Sequence, residues 1–454
     1  MIFSFKKYVT PTSYFNLKPI KDHGYFPDND ELITESERIP ADKAYKSFNA
    51  QERDRAYRAF QMGYIGKDRD MVSSIDVWED VKIPVVDEYR FLRKYYHRAW
   101  PYFALLYRIV TLKNPIRELR AFIKSRTVNA ELGVGPSYQY PEFESYHCDL
   151  IEKKPFISVI IPTLNRYEYL KDVFKDLEKQ TYKHFEVIVV DQSEPFDEEQ
   201  FQGWDLDLKY WYQSDKALWK ARNDAIRSSK GDFILLYDDD SLIEDDWIEQ
   251  HLKCIEYFDA DISSGVSISV VGAAVPAHYS YFRWSDQLDT GNALVKREVF
   301  ETIGLFDRQF EKQRMGDGEF GLRSYLNGIR NISNPRAKRV HLKAGHGGLR
   351  HKGGWDAFRP KNFWDPRPMP SVLYLYRKYF GFEATMLSIL KHLPPSIVPY
   401  RLKRNRYLLV FGALVSVFLI PVLFLAVARS WRSASRMLNE GAKIDNLEPK
   451  VPLS

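Results

Sequence analysis

Cysteine is nearly missing from this chain: Cys148 and Cys254 are the only two among 454 residues. Their separation suits no metal site, and so sparing a use of thiols fits a reducing compartment. The start, Met1-Ile-Phe-Ser-Phe-Lys-Lys7, lacks the apolar core of a signal peptide, so the N-terminus is expected to stay unexported. A concentrated block of one charge sign is also lacking. The net charge is +5 with the basic residues spread out, which argues against a nucleic-acid partner. Glycine is absent from the loop Pro162-Thr-Leu-Asn-Arg166, which excludes the glycine-rich phosphate cradle that nucleotidyl transfer would want there.

What is present is aromatic. Phe, Tyr and Trp make up 15% of the chain, a content that suits carbohydrate stacking, a membrane interface or a large core. From Phe156 onward, apolar runs alternate with amphipathic segments. Phe156–Ile161, Phe185–Val190 and Phe233–Tyr237 read as strands, and the helices between them include one over 216–229. That alternation predicts an α/β fold with a mostly parallel, Rossmann-like sheet. In such sheets ligands bind beyond the carboxyl ends of the strands. Each of these strands delivers polar residues there. The third, Phe233-Ile-Leu-Leu-Tyr237, runs straight into Asp238-Asp239-Asp240. Three adjoining acids repel one another unless a cation sits among them, and hard divalent ions favour oxygen ligands.

The flanks divide the chain further. Residues 1–150 predict a mostly helical region, with a polar helix over 41–66 and a basic, aromatic segment over 89–126 that could lie in a membrane interface. The α/β domain is expected over 151–358. A proline-rich linker with amphipathic interfacial helices follows over 359–406. Residues 407–428 carry no charge and are long enough for a transmembrane or re-entrant helix, interrupted by Pro421. A basic tail, 429–454, closes the chain.

At this point the residues resemble a known family. Ser158-Val-Ile-Ile-Pro-Thr-Leu-Asn-Arg166, Val189-Val-Asp191, Ala221-Arg-Asn223, Leu236-Tyr-Asp-Asp-Asp240, Thr290-Gly-Asn292, Ile303-Gly-Leu-Phe-Asp307 and Gly316-Asp-Gly-Glu-Phe-Gly-Leu-Arg323 stand in the order found in family 2 glycosyltransferases of GT-A fold. This is the type common in bacterial surface-polysaccharide assembly. The resemblance implies a nucleoside diphosphate sugar donor and a divalent metal, Mn or Mg. Carried over by position, Asp238 faces the ribose and the metal, Asp239 lies between, and Asp240 holds the metal. His341 is a further metal ligand, with His346 as the alternative. Pro162, Thr163, Asn165, Arg166, Asp191, Arg222 and Asn223 line the nucleotide pocket. Asp317 or Glu319 is the base; Gly316 departs from the family by standing where a Glu is common.

The reading is therefore an inverting, non-processive glycosyltransferase on the cytoplasmic membrane face. Its acceptor is the hydroxyl of a glycan or lipid-linked glycan. The Gln-x-x-Arg-Trp signature of processive synthases is absent. Two other readings stay open: transfer to a polyprenyl phosphate, and a catalytically inactive, membrane-anchored sugar-binding scaffold.

Overall fold

The computed structural model describes the chain apart from residues 22–24, 28–31, 34, 36, 67–80, 132–135, 271–274, 344–347, 349–356, 361, 363, 400–401 and 450–454. Helices α1 (Phe48–Met62), α2 (Val85–Tyr95), α3 (Ala99–Val110) and α4 (Pro115–Lys124) come first. The central region runs β1 (Ile157–Thr163), α5 (Tyr167–Glu178), β2 (Phe185–Asp191), β3 (Leu208–Tyr212), α6 (Leu218–Ser228), β4 (Phe233–Tyr237) and β5 (Ser241–Ile243). It continues through α7 (Trp247–Tyr257), β6 (Ile262–Ser269), β7 (Arg283–Trp284), β8 (Asn292–Lys296), α8 (Arg297–Ile303), α9 (Gly316–Leu326) and β9 (Asn331–His341). Helices α10 (Pro370–Tyr379), α11 (Gly381–His392), α12 (Arg406–Phe418) and α13 (Ile420–Glu440) complete it.

One sheet organises the centre, in the order β3-β2-β1-β4-β8-β6-β9-β5, with β7 beside β9. Every residue of β1, β2 and β4 is buried, as continuous apolar runs covered on both faces require. β3, β2, β1 and β4 are parallel, in register from Ile157 opposite Phe185 and Phe233. β8 then pairs antiparallel with β4, so the sheet changes direction beside the acidic run. The α/β expectation holds, with a parallel half and a mixed half.

The N-terminal region wraps the mixed half. Phe15 and Tyr25 pack on Tyr325, Tyr25 also lies 4.5 Å from Trp284, and Tyr281 donates to the Gln61 carbonyl at 2.7 Å. The helix expected over 41–66 is shorter: Ser47 Oγ accepts from the Ala50 amide to start α1, and Gly63 at φ 86° ends it. It is not a polar surface helix. Its Asp54 is fully buried, taking Lys94 at 2.7 Å, Tyr45 at 2.8 Å and Tyr95 at 2.9 Å. The basic, aromatic stretch of 89–126 is divided among α2, α3 and α4 rather than forming one segment.

Over 407–428 the chain takes the interrupted form of the two expected alternatives: α12 and α13 are bent by 89° at Leu419. Pro421 has no amide to bond back into the preceding turn, so α12 stops and α13 restarts with the proline in its first turn. No described helix alone is long and apolar enough to cross a bilayer. The proline-rich stretch before these helices is packed: Arg359 donates to the carbonyls of Pro395 and Val398, and buried Arg367 donates to that of Ser396. Beyond α13, the Lys443 amide donates to Asp307 Oδ1 at 3.0 Å and the Leu305 amide to the Asp445 carbonyl at 2.8 Å. The tail thus returns to the α/β domain.

Behind the sheet, Asn292 Oδ1 accepts from Trp247 Nε1 at 2.9 Å and from His251 Nε2 at 3.0 Å, while His251 Nδ1 accepts from Ser263. Burial lowers the His251 pKa to about 4. Below the unfolded value of about 6.5 the unfolded chain binds a proton that the folded chain refuses, so stability falls as pH drops from there toward 4. The expected loss is roughly 3 kcal/mol across that window. Urea unfolding at stepped pH should show it, and His251→Gln should flatten that part of the profile.

Candidate active site

The end of β4 delivers three carboxylates, and a loop, a helix and a strand around it deliver the cations that let them coexist. Asp238 takes Arg222 Nη2 on one oxygen and Arg339 Nη1 on the other, each at 2.9 Å. Arg222 comes from α6, is fully buried, and also donates to the Thr290 carbonyl at 2.8 Å. Arg339 comes from β9 and forks onto both oxygens of Asp289 at 3.1 Å. Burial depresses the Arg339 pKa, but Asp289 and Asp238 more than reverse this, and the net shift is upward. Burial likewise raises Asp289, and Arg339 brings it below the ordinary carboxylate value. A Cβ on Gly291 would fall 2.2 Å from both Arg339 Nη1 and Asp238 Oδ2, so the Thr-Gly-Asn turn needs its glycine to admit this ion pair.

Asp239 points into the sheet. Thr163 Oγ1 and Arg166 Nη1 each donate to it at 2.8 Å, yet burial still pushes its pKa up to about 6. Arg166 also reaches Asp240 Oδ2 at 3.1 Å. His341 Nε2 lies 3.2 Å from Asp240 Oδ1. The antiparallel β5–β9 ladder causes this proximity: it sets His341 opposite Ser241, the residue after Asp240. Ligand atoms of Asp238, Asp240 and His341 lie within 4.8 Å of one another. Two carboxylates and an imidazole form a donor set suited to a divalent ion. Counting Asp289, four carboxylates face three guanidiniums and leave one net negative charge, a fit for a cation shared with an anionic substrate.

The other predicted residues fall into two groups. Pro162 and Thr163 end β1, buried beside Val190 and Asp191 of β2. Asn165, at φ 54°, accepts from the Glu194 amide at 3.1 Å and so ties the β1 loop to the β2 loop. Asp191 is fully buried, taking Tyr167 at 2.5 Å and the Ser193 amide at 2.8 Å. Asn223 turns away from the acids and exchanges two hydrogen bonds with the Phe306 backbone. Glu319 is fully buried against Arg323, with the Tyr379 hydroxyl also donating to it. Asp317, half-exposed at the start of α9, accepts from the Gly318 amide at 2.8 Å.

Trp219 links the residue before Asp317 to an arginine that holds the aspartate run. The ring of Trp219, 5.5 Å from the Arg222 guanidinium, sits against Gly316, where a Cβ would come within 2.4 Å of it. That indole occupies the space that the family's usual Glu would need. The alternative ligand His346 lies outside the described residues. Sequence reading missed Arg339, Asp289 and Trp219. Period two in Arg339-Val-His341 was the available signal for the first, since alternate strand residues share a face.

A cation bound here stabilises the folded chain by mass action, about 2.7 kcal/mol at a hundredfold excess over Kd. Mn²⁺ should therefore raise the unfolding temperature by a few degrees. Asp240→Asn should abolish that rise, which calorimetry would read directly.

Residues 158–314 match the family model "Glycosyl transferase family 2". Among curated proteins, the chain is 28% identical over 166 residues to glycosyltransferase GlyA of Streptococcus pneumoniae, covering 35% of this chain and 22% of that one. It is 29% identical over 169 residues to glycosyltransferase AglE of Haloferax volcanii, covering 34% and 53%. The chain thus spans about a fifth to a half of the length of these relatives. A solved neighbour is Staphylococcus aureus TarS 1–349 in complex with UDP-GlcNAc, at 19% identity and a TM-score of 0.38, covering 61% of this chain and 81% of that one. Another is a mannosyltransferase from Pyrobaculum calidifontis in complex with GDP-Man and Mn²⁺, at 17% identity and a TM-score of 0.37, covering 66% and 84%. With the motifs in order on a sheet that reverses beside the acidic run, residues 158–314 of this chain form a domain that matches family 2 glycosyltransferases.

Proposed function

We propose that the protein is a metal-dependent, inverting glycosyltransferase that moves one sugar from a nucleoside diphosphate to a hydroxyl of a glycan or lipid-linked glycan in cell-surface polysaccharide synthesis. The observation that carries this reading is the convergence of Asp238, Asp240 and His341 at the strand ends. The first three would hold Mn²⁺ or Mg²⁺, which neutralises charge building on the departing diphosphate. Arg166 and Arg222 are placed to meet anionic oxygens in the same crevice. Thr163, Asn165 and Asp191 shape the adjoining pocket floor for the nucleoside.

Asp317 takes the proton of the acceptor hydroxyl as it attacks the sugar. Glu319 is the poorer candidate, because Arg323 and Tyr379 engage its carboxylate inside the domain. The acceptor side is marked by a recess of about 290 Å³ lined by Ser13, Tyr14, Asp286, Lys391 and His392. Tyr14 donates to the carbonyl of Gly318, next to Asp317. The recess lies at the end of α11, and Ile397 and Val398, which follow, pack on the exposed apolar helix α12, which suits an acceptor anchored in lipid. Attachment to the cytoplasmic membrane face through these helices belongs to the same reading, since nucleotide sugars are supplied from that side.

Asp317→Ala should cut kcat by about 10²–10⁴-fold while donor binding is retained. Glu319→Ala should instead lower thermal stability. A single-turnover assay with nucleotide sugar and Mn²⁺, beside donor binding by calorimetry, separates the outcomes. Undiminished transfer by Asp317→Ala would favour a phosphate acceptor, which needs no base.

A further inference from the structure

Five helices from two ends of the chain expose apolar residues at helical spacing. α12 presents Val410, Leu414 and Phe418, at 59–85% exposure together with Val417, and Phe424 and Leu425 continue the stripe into α13. α11 presents Phe382, Met386 and Leu390 at i, i+4 and i+8. Some 270 residues earlier in the chain, α3 exposes Leu106 and Val110, and α4 exposes Ile116, Leu119 and Ile123. Scattered exposed apolar residues are ordinary; stripes repeated on successive helices are not.

These stripes are structurally connected. Lys391, at the end of α11, donates to the Val9 carbonyl and lies 5.1 Å from the Trp100 ring of α3. Lys7 pairs with Glu383 of α11, and Tyr8 lies 5.5 Å from Tyr107 of α3. α12 packs on Ile397 and Val398, directly after α11, and Phe382 meets Trp431 of α13 at 6.0 Å. The charge around the stripes has one sign. Residues 401–436 contain seven basic and no acidic residues, and residues 99–126 contain six basic residues against Glu118 alone. Glu118 is itself buried against Arg108. Arg117, Arg120 and Lys124 are exposed on α4.

We infer that α3, α4, α11 and the α12–α13 elbow form one continuous seat that lies in the plane of an anionic lipid bilayer, with the N-terminal helices as a second foothold beside the elbow. Apolar stripes bordered by basic residues are what an interfacial helix needs: side chains for the acyl boundary and cations for anionic headgroups. A protein partner or a second copy would account for the apolar stripes, but not for basic residues bordering both. The inference rests on the membrane attachment proposed above and extends it to a region with no other assigned role.

The test is sedimentation of the full chain with vesicles of phosphatidylcholine containing about one-third phosphatidylglycerol, with no sugar donor present. Ile116→Asp/Leu119→Asp on α4 and Phe411→Asp/Leu414→Asp on α12 alter exposed side chains, and unfolding temperatures should confirm intact folds. Each pair should weaken vesicle binding by about tenfold or more. Arg117→Glu/Arg120→Glu should weaken binding to anionic vesicles and spare neutral ones. If the α4 variants bind like wild type while the α12 variant does not, the seat ends at the elbow and the inference fails. If neither apolar pair weakens binding, membrane attachment itself fails. Concentration-dependent self-association abolished by the same substitutions would assign the face to a second copy and overturn the proposal.

Discussion

Two unit charges about 4 Å apart repel by roughly 4 kcal/mol at the effective dielectric near a protein surface, and three successive aspartates at the end of a buried strand face that cost together. The structure meets it with arginines drawn from three separate elements: Arg166 after β1, Arg222 on α6 and Arg339 on β9. Each must arrive at a fixed place, so the β1 loop, the crossover helix and the last strand are all held by the same electrostatic requirement. Asp239, the middle carboxylate, is buried and shows the residual cost as a pKa raised to about 6. Asp238 and Asp240 keep an oxygen's reach of His341, which leaves a site able to take further positive charge.

β1, β2 and β4 were legible from sequence because they are fully buried, largely apolar runs, with Asp191 and Asp238 marking the ends of two of them; β3, only half-buried at the sheet edge, was not. Family motifs then supplied most of the site. Arg339 escaped because its period-two spacing from His341 says that the two share a face but not which face; only the β6–β9 and β5–β9 registers decide it, and Asp289, outside any strand, carries no such pattern. The elbow was half legible: Pro421 marked an interruption in the apolar run 407–428, whereas the place of the break at Leu419 and its 89° angle are visible only in the structure. Asn223 shows the limit of transferring roles by motif: its position matches, but its amide is committed to the Phe306 backbone.

The N-terminal residues are part of the same body as the transferase domain. Tyr14, Phe15 and Tyr25 pack against α9 and its surroundings, so the helix that begins with Asp317 is braced from outside the family domain. α10 braces it from the other side, where Tyr374 donates to Asp307 and Tyr379 to Glu319. Half-exposed Asp317 is therefore presented by a helix clamped along its length, which favours a fixed geometry at its first turn.

The return of the tail to Asp307 has a topological consequence. The elbow begins from a segment fastened by Arg359 and Arg367 and finishes in one fastened by Lys443 and Asp445, so its two feet stand on the same body. A loop tethered at both ends to one globule returns to the side from which it started, so its fastenings allow only an even number of passages, zero included, through any sheet-like barrier. A single passage would first require peeling one fastening away, exposing the Leu305 and Arg308 amides that the tail now satisfies.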